Sequence, residues 1–107
     1  TEEGKKRAGW LQINNLQIAK QKKWDRKWRV VVFDIPDKNK IKREALRGFL
    51  KRLQFCKLQD SVWIHPFDCR DEIALLREFF GFGSIELQLL VAEKVENEGV
   101  LRKVFRI

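Results

Sequence analysis

The sequence lacks the features that mark membrane, secreted and disulfide-rich proteins. No apolar run approaches the roughly 18 residues needed to cross a bilayer, so we expect no membrane partner. There is no secretory signal pattern, and the two cysteines are too few for a disulfide framework. We therefore expect a cytoplasmic protein with reduced thiols. The 107 residues also contain no Met, and since the chain opens at Thr1 we expect it to be part of a longer protein.

Motifs for metal binding and for nucleophilic catalysis are also missing. The single histidine, His65, lies nine residues from Cys56 and four from Cys69, which is not a zinc spacing, and a fourth ligand is not evident. A role in core or turn packing is the better interpretation of these three residues. No phosphate-binding glycine-rich loop and no Ser-His-Asp arrangement can be recognised.

Positive charge is abundant and unevenly distributed. Residues 1–57 hold 17 Lys/Arg against 6 Asp/Glu, whereas residues 58–107 hold 6 against 9. A cationic surface attracts polyanions and releases counterions when it binds phosphate backbones, so we expect DNA, or RNA, as a partner. The alternative is a basic surface that serves solubility alone. The cations expected to bind nucleic acid are Lys22, Lys23, Arg26, Lys27, Lys40, Lys42, Arg43 and Arg47.

Hydrophobic periodicity divides the chain into two parts. Residues 1–27 are polar and lysine-rich, which indicates a basic arm or linker from a preceding module, and residues 28–107 have the pattern of a folded domain. Trp24 and Trp28 stand among lysines and arginines, where they would either stack on single-stranded bases or anchor the arm. Phe33 and Trp63 are too few for the aromatic pattern of an RNA-recognition domain.

The folded part predicts alternating strands and helices. A nearly continuous apolar run over 28–35 is typical of a buried central strand, and 38–53 has the period of an amphipathic helix with a basic outer face. Two short strands, a second helix ending at Gly81 and a strand over 85–91 follow. Asp37 and Asp68 are the residues expected to cap the first and second helices. The order favours an α+β, ferredoxin-like βαββαβ fold: a four-stranded antiparallel sheet, two helices on one face, and a C-terminal helix or strand.

Asp34 is the most informative single residue. Its carboxylate ends the apolar central strand, where burial would be unfavourable without a cation, a metal ion or several N–H donors. It either hydrogen-bonds the turn at 35–37 or binds a ligand. One carboxylate holds a divalent ion poorly, but a two-fold dimer would bring two together.

Two segments resemble a known family. They are Lys23-Trp-Asp-Arg-Lys-Trp-Arg-Val-Val-Val-Phe-Asp-Ile-Pro and Leu58-Gln-Asp-Ser-Val-Trp-Ile-His-Pro, with a basic helix between them. Together they resemble the central domain of PaaX-type transcriptional repressors, which is similar to the CRISPR-associated Cas2 proteins. The resemblance covers about residues 23–105. Residues 1–7 also resemble the end of the winged helix-turn-helix that precedes this domain in the repressors.

The resemblance implies a homodimer and, in its Cas2 form, a metal site. The aspartate that matches Asp34 faces its dimer mate in Cas2 proteins and can hold a metal for phosphodiester cleavage, which here would be Mg²⁺ with Asp34 as the catalytic residue. Gln59 and Ser61 match a segment near that site. In the repressors the domain serves dimerisation and scaffolding. We therefore expect a dimerisation and nucleic-acid-associated domain of a PaaX-like regulator. The alternatives are a metal-dependent endonuclease or CRISPR adaptation subunit, and a purely structural interaction module.

Overall fold

Four strands and three helices follow one another in the part of the chain that the structure, a computed structural model, describes, residues 13–107. The predicted α+β fold with βαββαβ order is confirmed, and the C-terminal element is a helix. The expected resemblance of residues 1–7 lies outside the described residues. The elements are β1 (Trp28–Phe33), α1 (Lys40–Arg52), β2 (Cys56–Gln59), β3 (Val62–His65), α2 (Arg70–Phe80), β4 (Leu87–Ala92) and α3 (Glu98–Phe105), with a 3₁₀ turn at Asp37–Asn39.

The strands form one antiparallel sheet in the order β2-β3-β1-β4. β1 lies in the interior of the sheet, where Val31 is opposite Trp63 of β3 and Leu89 of β4. Its apolar sequence reflects this position, because both of its edges are hydrogen-bonded and four of its six residues are buried. The pairing of β2 with β3 contains an irregularity between Lys57 and Gln59.

One face of the sheet carries α1 and α2 and holds the main core. Val31, Phe33, Trp63 and Leu87 from the sheet are buried there. The two helices bury their apolar stripes against them through Leu46, Phe49, Leu50, Ile73, Leu76 and Phe80. Phe33 and Trp63 are therefore covered by helices and are not available to stack on nucleic-acid bases.

The opposite face of the sheet is only partly covered. Trp28 and Ile64 form a second, smaller core with Leu101 of α3. Farther along the same face Val32 and Val62, which are paired across β1 and β3, are half-buried, and Leu90 of β4 is 49% exposed. Within residues 13–107 no element covers this end of the sheet, which we call the open face: Val32, Val62 and Leu90. Val30 lies at its border and packs against the smaller core.

The segment before β1 packs onto the domain. Ile13 is buried in the main core and Leu16 and Ile18 pack against it. Arg52 at the end of α1 donates hydrogen bonds to the backbone and side-chain oxygens of Asn14, at 2.6 and 3.0 Å. The separation of a 1–27 arm from a 28–107 domain stays a prediction, but residues 13–18 contribute to the core.

Two helix starts differ from the sequence prediction. Asp37 was expected to cap α1, but the cap residue is Asn39, and Asp37 instead accepts a hydrogen bond from Arg43. Asp68 was expected to cap α2, but the cap residue is Cys69, and Asp68 accepts from the backbone N–H of Arg70. Asp68 begins a turn through the N–H group two residues on, as Asp commonly does, whereas Asp37 is the first residue of the 3₁₀ turn before α1.

The end of α2 agrees with the prediction. Gly81 has φ +74°, the left-handed conformation that ends many helices, and its N–H bonds to the carbonyl of Arg77. No helix among the described residues is long and apolar enough to cross a membrane.

Candidate nucleic-acid interface and the carboxylate that ends the first strand

The turn that leads into β1 is held by a buried arginine. Arg29 is 6% exposed and binds both carboxylate oxygens of Asp25, at 2.9 and 2.6 Å. The same guanidinium donates to the backbone oxygens of Lys27 and Pro66, at 3.0 and 2.7 Å. The hydrogen bonds from Arg29 lower the pKa of Asp25, so the pair stays ionised. We call Asp25 and Arg29 the arm clip, because they join the arm to the end of β3.

The two tryptophans of this turn anchor the arm. Trp28 is fully buried, and its indole N–H donates to Glu98 of α3 at 3.0 Å. Trp24 packs edge-on against Trp28, with the ring centroids 4.9 Å apart, and the guanidinium of Arg102 lies 5.4 Å from the Trp24 ring. Of the two roles considered for these residues, the structure supports anchoring, since neighbouring side chains contact both rings.

The cations of the arm are exposed. Lys22, Lys23, Arg26 and Lys27 all lie at the surface, and none forms a salt bridge with another residue of 13–107. Arg26 has φ +65°, a left-handed backbone that is uncommon for arginine. These four predicted binding residues therefore present unneutralised positive charge.

Three of the four cations predicted on α1 have structural partners. Lys42 donates to the carbonyl of Phe80 at 3.0 Å, which links α1 to the end of α2. Arg43 donates to the carbonyl of Ile35 and to Asp37. Arg47 donates to the carbonyl of Asp60 and pairs with Glu44. Lys40 is exposed and makes no salt bridge within the described residues.

The structure also separates the two groups of predicted cations. The arm lies before the first residue of β1, whereas Arg43 and Arg47 contact Ile35 and the Phe33 ring at the other end of that strand. Six strand residues span about 20 Å. The cations of the arm and those of α1 therefore do not form one continuous basic patch.

Asp34 lies at the end of the open face. Strand alternation places it on the same side of the sheet as Val30 and Val32. Its backbone N–H donates to the carbonyl of Glu86 at 2.9 Å, but its exposed carboxylate makes no hydrogen bond or salt bridge with any residue of 13–107. The turn that Asp34 was considered to hold is held by Arg43 instead.

Two other predicted residues lie beside the end of β1. The carbonyl of Ser61 accepts a hydrogen bond from the N–H of Phe33, and Gln59 pairs with Val62 one strand farther out. The structure thus brings Ser61 next to the residue before Asp34, with Gln59 beyond it. No group of three or more His, Cys, Asp or Glu side chains that could hold a metal ion occurs among the described residues.

His65 and the two cysteines have packing roles, as expected. His65 is buried between Phe55, Phe67 and Phe105, and its Nδ1 accepts from the N–H of Phe67 at 3.1 Å. Burial lowers the pKa of His65 to about 4 and raises the pKa of Cys69 to about 12, so both side chains are neutral at pH 7. Cys56 is a free thiol on β2.

The sequence prediction did not include two C-terminal cations that the structure brings to the arm, Arg102 of α3 and Arg106 directly after that helix. They line a cavity of about 430 Å³ together with Lys22, Lys23 and Arg26. A spacing of four residues would place two arginines on one side of a continuous helix, but α3 ends before Arg106. The sequence could not show that these arginines meet the arm, because the two segments are some 80 positions apart.

Comparison with known protein families agrees with this architecture. The family model described as the PaaX protein central Cas2-like domain matches residues 21–103. The chain belongs to this family. Searches of curated proteins and of solved structures gave no significant match. The match begins just before the arm clip and ends within α3, so the clip, the sheet and the open face are all parts of this PaaX-like domain.

Proposed function

We propose that this domain dimerises within a PaaX-like transcriptional regulator and associates with DNA in the cytoplasm. The observation that carries the proposal is the open face. Family membership supports the regulator context, and the unneutralised cations of the arm support the nucleic-acid role. Asp34 in this proposal is a residue of the dimer surface and not a catalyst.

A second copy of the chain is the partner that fits the open face. Val32 and Val62 lie in the middle of the sheet and remain half-buried, and Leu90 beside them is largely exposed. Two such faces packed about a two-fold axis would bury these side chains against their own equivalents. β4 is also an edge strand in the described part of the chain, with backbone groups that another strand or segment would satisfy.

The charge distribution supports a polyanionic partner. Residues 1–57 have a net charge of +11, from 17 Lys/Arg and 6 Asp/Glu. Dimerisation would double the number of exposed arm cations on one particle, so that two arms would contact one duplex. Such binding is mainly electrostatic, and each phosphate contact adds roughly −0.9 to the slope of log K against log[salt].

The test combines mass and affinity measurements on the wild-type protein. Light scattering at high micromolar concentration should give twice the chain mass, and fluorescence anisotropy with duplex DNA should show binding that weakens steeply with salt. A monomer at these concentrations would contradict dimerisation. If the protein is a dimer but binds no DNA at low salt, the result would favour the alternative of a purely structural interaction module.

One observation favours the second candidate, a metal-dependent nuclease. The Asp34 carboxylate is exposed and has no partner among the described residues, as a metal ligand at a dimer axis would be. Mg²⁺ held by two such carboxylates, one from each copy, would stabilise charge on a phosphate. Cleavage of DNA or RNA by the purified protein only in the presence of Mg²⁺ or Mn²⁺ would favour this candidate over the scaffold.

A further inference from the structure

A cleft between the arm and the end of α3 gathers cations from two distant parts of the sequence. Its cavity measures about 430 Å³, far above the roughly 30 Å³ that one water molecule occupies. Phe67 and Ile107 contribute apolar wall. The cations that line it, which we call the cleft cations, are Lys20, Lys22, Lys23, Arg26, Arg102 and Arg106.

The cleft cations face no acidic side chain of residues 13–107 in the cleft. None of its lining residues in the described part of the chain is Asp or Glu. The nearest acidic residue in the arm, Asp25, is already bound by Arg29. Like charges repel one another, and more strongly near a protein surface than in bulk water. A cleft with this composition is therefore stabilised by any anion that enters it.

Hydrogen bonds and ring contacts hold the cleft in shape. The arm clip fixes the turn at Lys27, and Trp24 is fixed by its indole N–H, which donates to the carbonyl of Lys27 at 3.0 Å. Arg102 lies over Trp24 and donates to the carbonyl of Ile107 at 3.3 Å. A binding site whose frame is already formed loses less entropy when its ligand binds.

Two cleft cations sit on an unfavourable backbone. Arg26 and Arg106 have φ of +65° and +58°, where glycine or asparagine is the usual residue. Such residues are often found where function requires the side chain. In addition, the side-chain oxygen of Gln21 is buried at this cleft without a hydrogen-bond partner among the described residues. Rotating that amide by 180° exchanges oxygen and nitrogen, and would present N–H donors instead.

We propose that the cleft cations form a binding site for phosphate groups. Arginine and lysine are the side chains that bind phosphate in proteins, arginine through paired hydrogen bonds and lysine as a point charge. The phosphates belong either to a nucleic-acid backbone or to a free oligophosphate ligand. The first source rests on the proposed function, which it would localise to this cleft and away from α1.

The test uses two variants that each remove three positive charges. The cleft variant carries Lys22→Gln, Lys23→Gln and Arg106→Gly, of which the last also relieves the left-handed backbone. The control variant carries Lys38→Gln, Lys51→Gln and Lys94→Gln, which are exposed residues outside the cleft. Thermal unfolding should show that both variants fold. Lys23→Gln alone serves if the triple cleft variant does not.

Two probes are titrated at one fixed salt concentration: sodium tripolyphosphate by calorimetry and a labelled duplex DNA by anisotropy. The cleft variant should bind tripolyphosphate at least tenfold more weakly than wild type, and the control variant within about twofold of it. If duplex affinity falls in parallel, the phosphates are those of nucleic acid. If only tripolyphosphate binding falls, the ligand is a small oligophosphate.

The outcomes separate this inference from the proposed function. Equal losses in the cleft and control variants, or no tripolyphosphate binding by the wild type, would overturn the cleft even if the dimer binds DNA through another surface. Tripolyphosphate binding that depends on the cleft, in a protein that binds no DNA, would support the cleft and contradict the proposed nucleic-acid role.

Discussion

Among single residues, His65 shows how burial determines charge. Its ring lies among Phe55, Phe67 and Phe105, and burial lowers its pKa from an ordinary 6.5 to about 4. The unfolded chain therefore takes up a proton near pH 6.5 that the folded domain resists. The contribution of neutral His65 to the unfolding free energy is fully present above pH 6.5 and is lost as pH falls from there towards 4.

We predict that His65→Asn removes this part of the pH dependence. The shift corresponds to roughly 3 kcal/mol of unfolding free energy between pH 7 and pH 4. Asn keeps an acceptor for the N–H of Phe67, although it loses ring packing and should be less stable at pH 7. Urea denaturation at pH 4, 5, 6 and 7 measures both effects. Because His65 is the only histidine, an unchanged slope between pH 4 and 6.5 would contradict its neutral state.

Asp34 is the residue at which scaffold and nuclease differ. We predict that Asp34→Asn changes the unfolding free energy by less than about 0.5 kcal/mol, since the carboxylate is exposed and has no partner within residues 13–107. In a scaffold the change leaves every activity intact, whereas in a nuclease it abolishes metal-dependent cleavage. Chemical denaturation measures the unfolding free energy, and a cleavage assay with Mn²⁺ measures the nuclease activity. Destabilisation by several kcal/mol would mean that Asp34 has a structural partner.

At the scale of elements, the arm clip fastens a polar segment to the sheet. Arg29 is buried and donates hydrogen bonds to Asp25 and Lys27 of the arm and to Pro66 after β3. We predict that Arg29→Ala lowers the unfolding free energy by about 3 kcal/mol, because the carbonyl of Pro66 is left without its donor. Arg70→Ala is the control, since Arg70 also pairs with an aspartate but is exposed, and should lose less than about 1 kcal/mol. Equal losses of unfolding free energy in the two variants would mean that the arm clip adds no more stability than an exposed ion pair.

Two glycines in and after helices allow a matched comparison. Gly81 has φ +74° and Gly48 lies inside α1, and an added Cβ meets nothing within 4 Å at either position. We predict that Gly81→Ala destabilises the domain by about 1 kcal/mol and that Gly48→Ala stabilises it by about 0.5–1 kcal/mol. Thermal unfolding of the two variants should move in opposite directions. Shifts of the same sign would contradict the backbone explanation.

At the scale of the whole molecule, the proposed dimer depends on the open face. We predict that Leu90→Lys weakens this dimer at least tenfold, because the face would meet its own copy and two lysines would enter one apolar interface. Ile85→Lys is the control, since Ile85 is 79% exposed and lies before β4. Sedimentation equilibrium over a range of concentrations gives both dissociation constants. Equal dissociation constants for the two variants would place the dimer interface elsewhere.

Local sequence patterns were sufficient to predict the order of strands and helices and the residue at which α2 ends. These patterns are local: the apolar run of β1, the periodic apolar stripes of α1 and α2, and the glycine after α2. Each depends on residues that are close together in the sequence. Asp37 and Asp68 were assigned as caps, but a short turn precedes each helix, and the residue that begins the turn is not the residue that begins the helix. Several residue types compete for that position, so the sequence left the first helical residue ambiguous by one or two residues.

The sequence by itself determined the α+β order, the burial of β1 and the excess of positive charge, because periodicity and composition are properties of the chain. Only the tertiary structure decided which cations are free. It pairs Lys42, Arg43 and Arg47 with carbonyls and carboxylates of other elements, and it brings Arg102 and Arg106 beside the arm. Whether a charge is neutralised depends on what folds next to it, and that neighbour is often many residues away in the sequence.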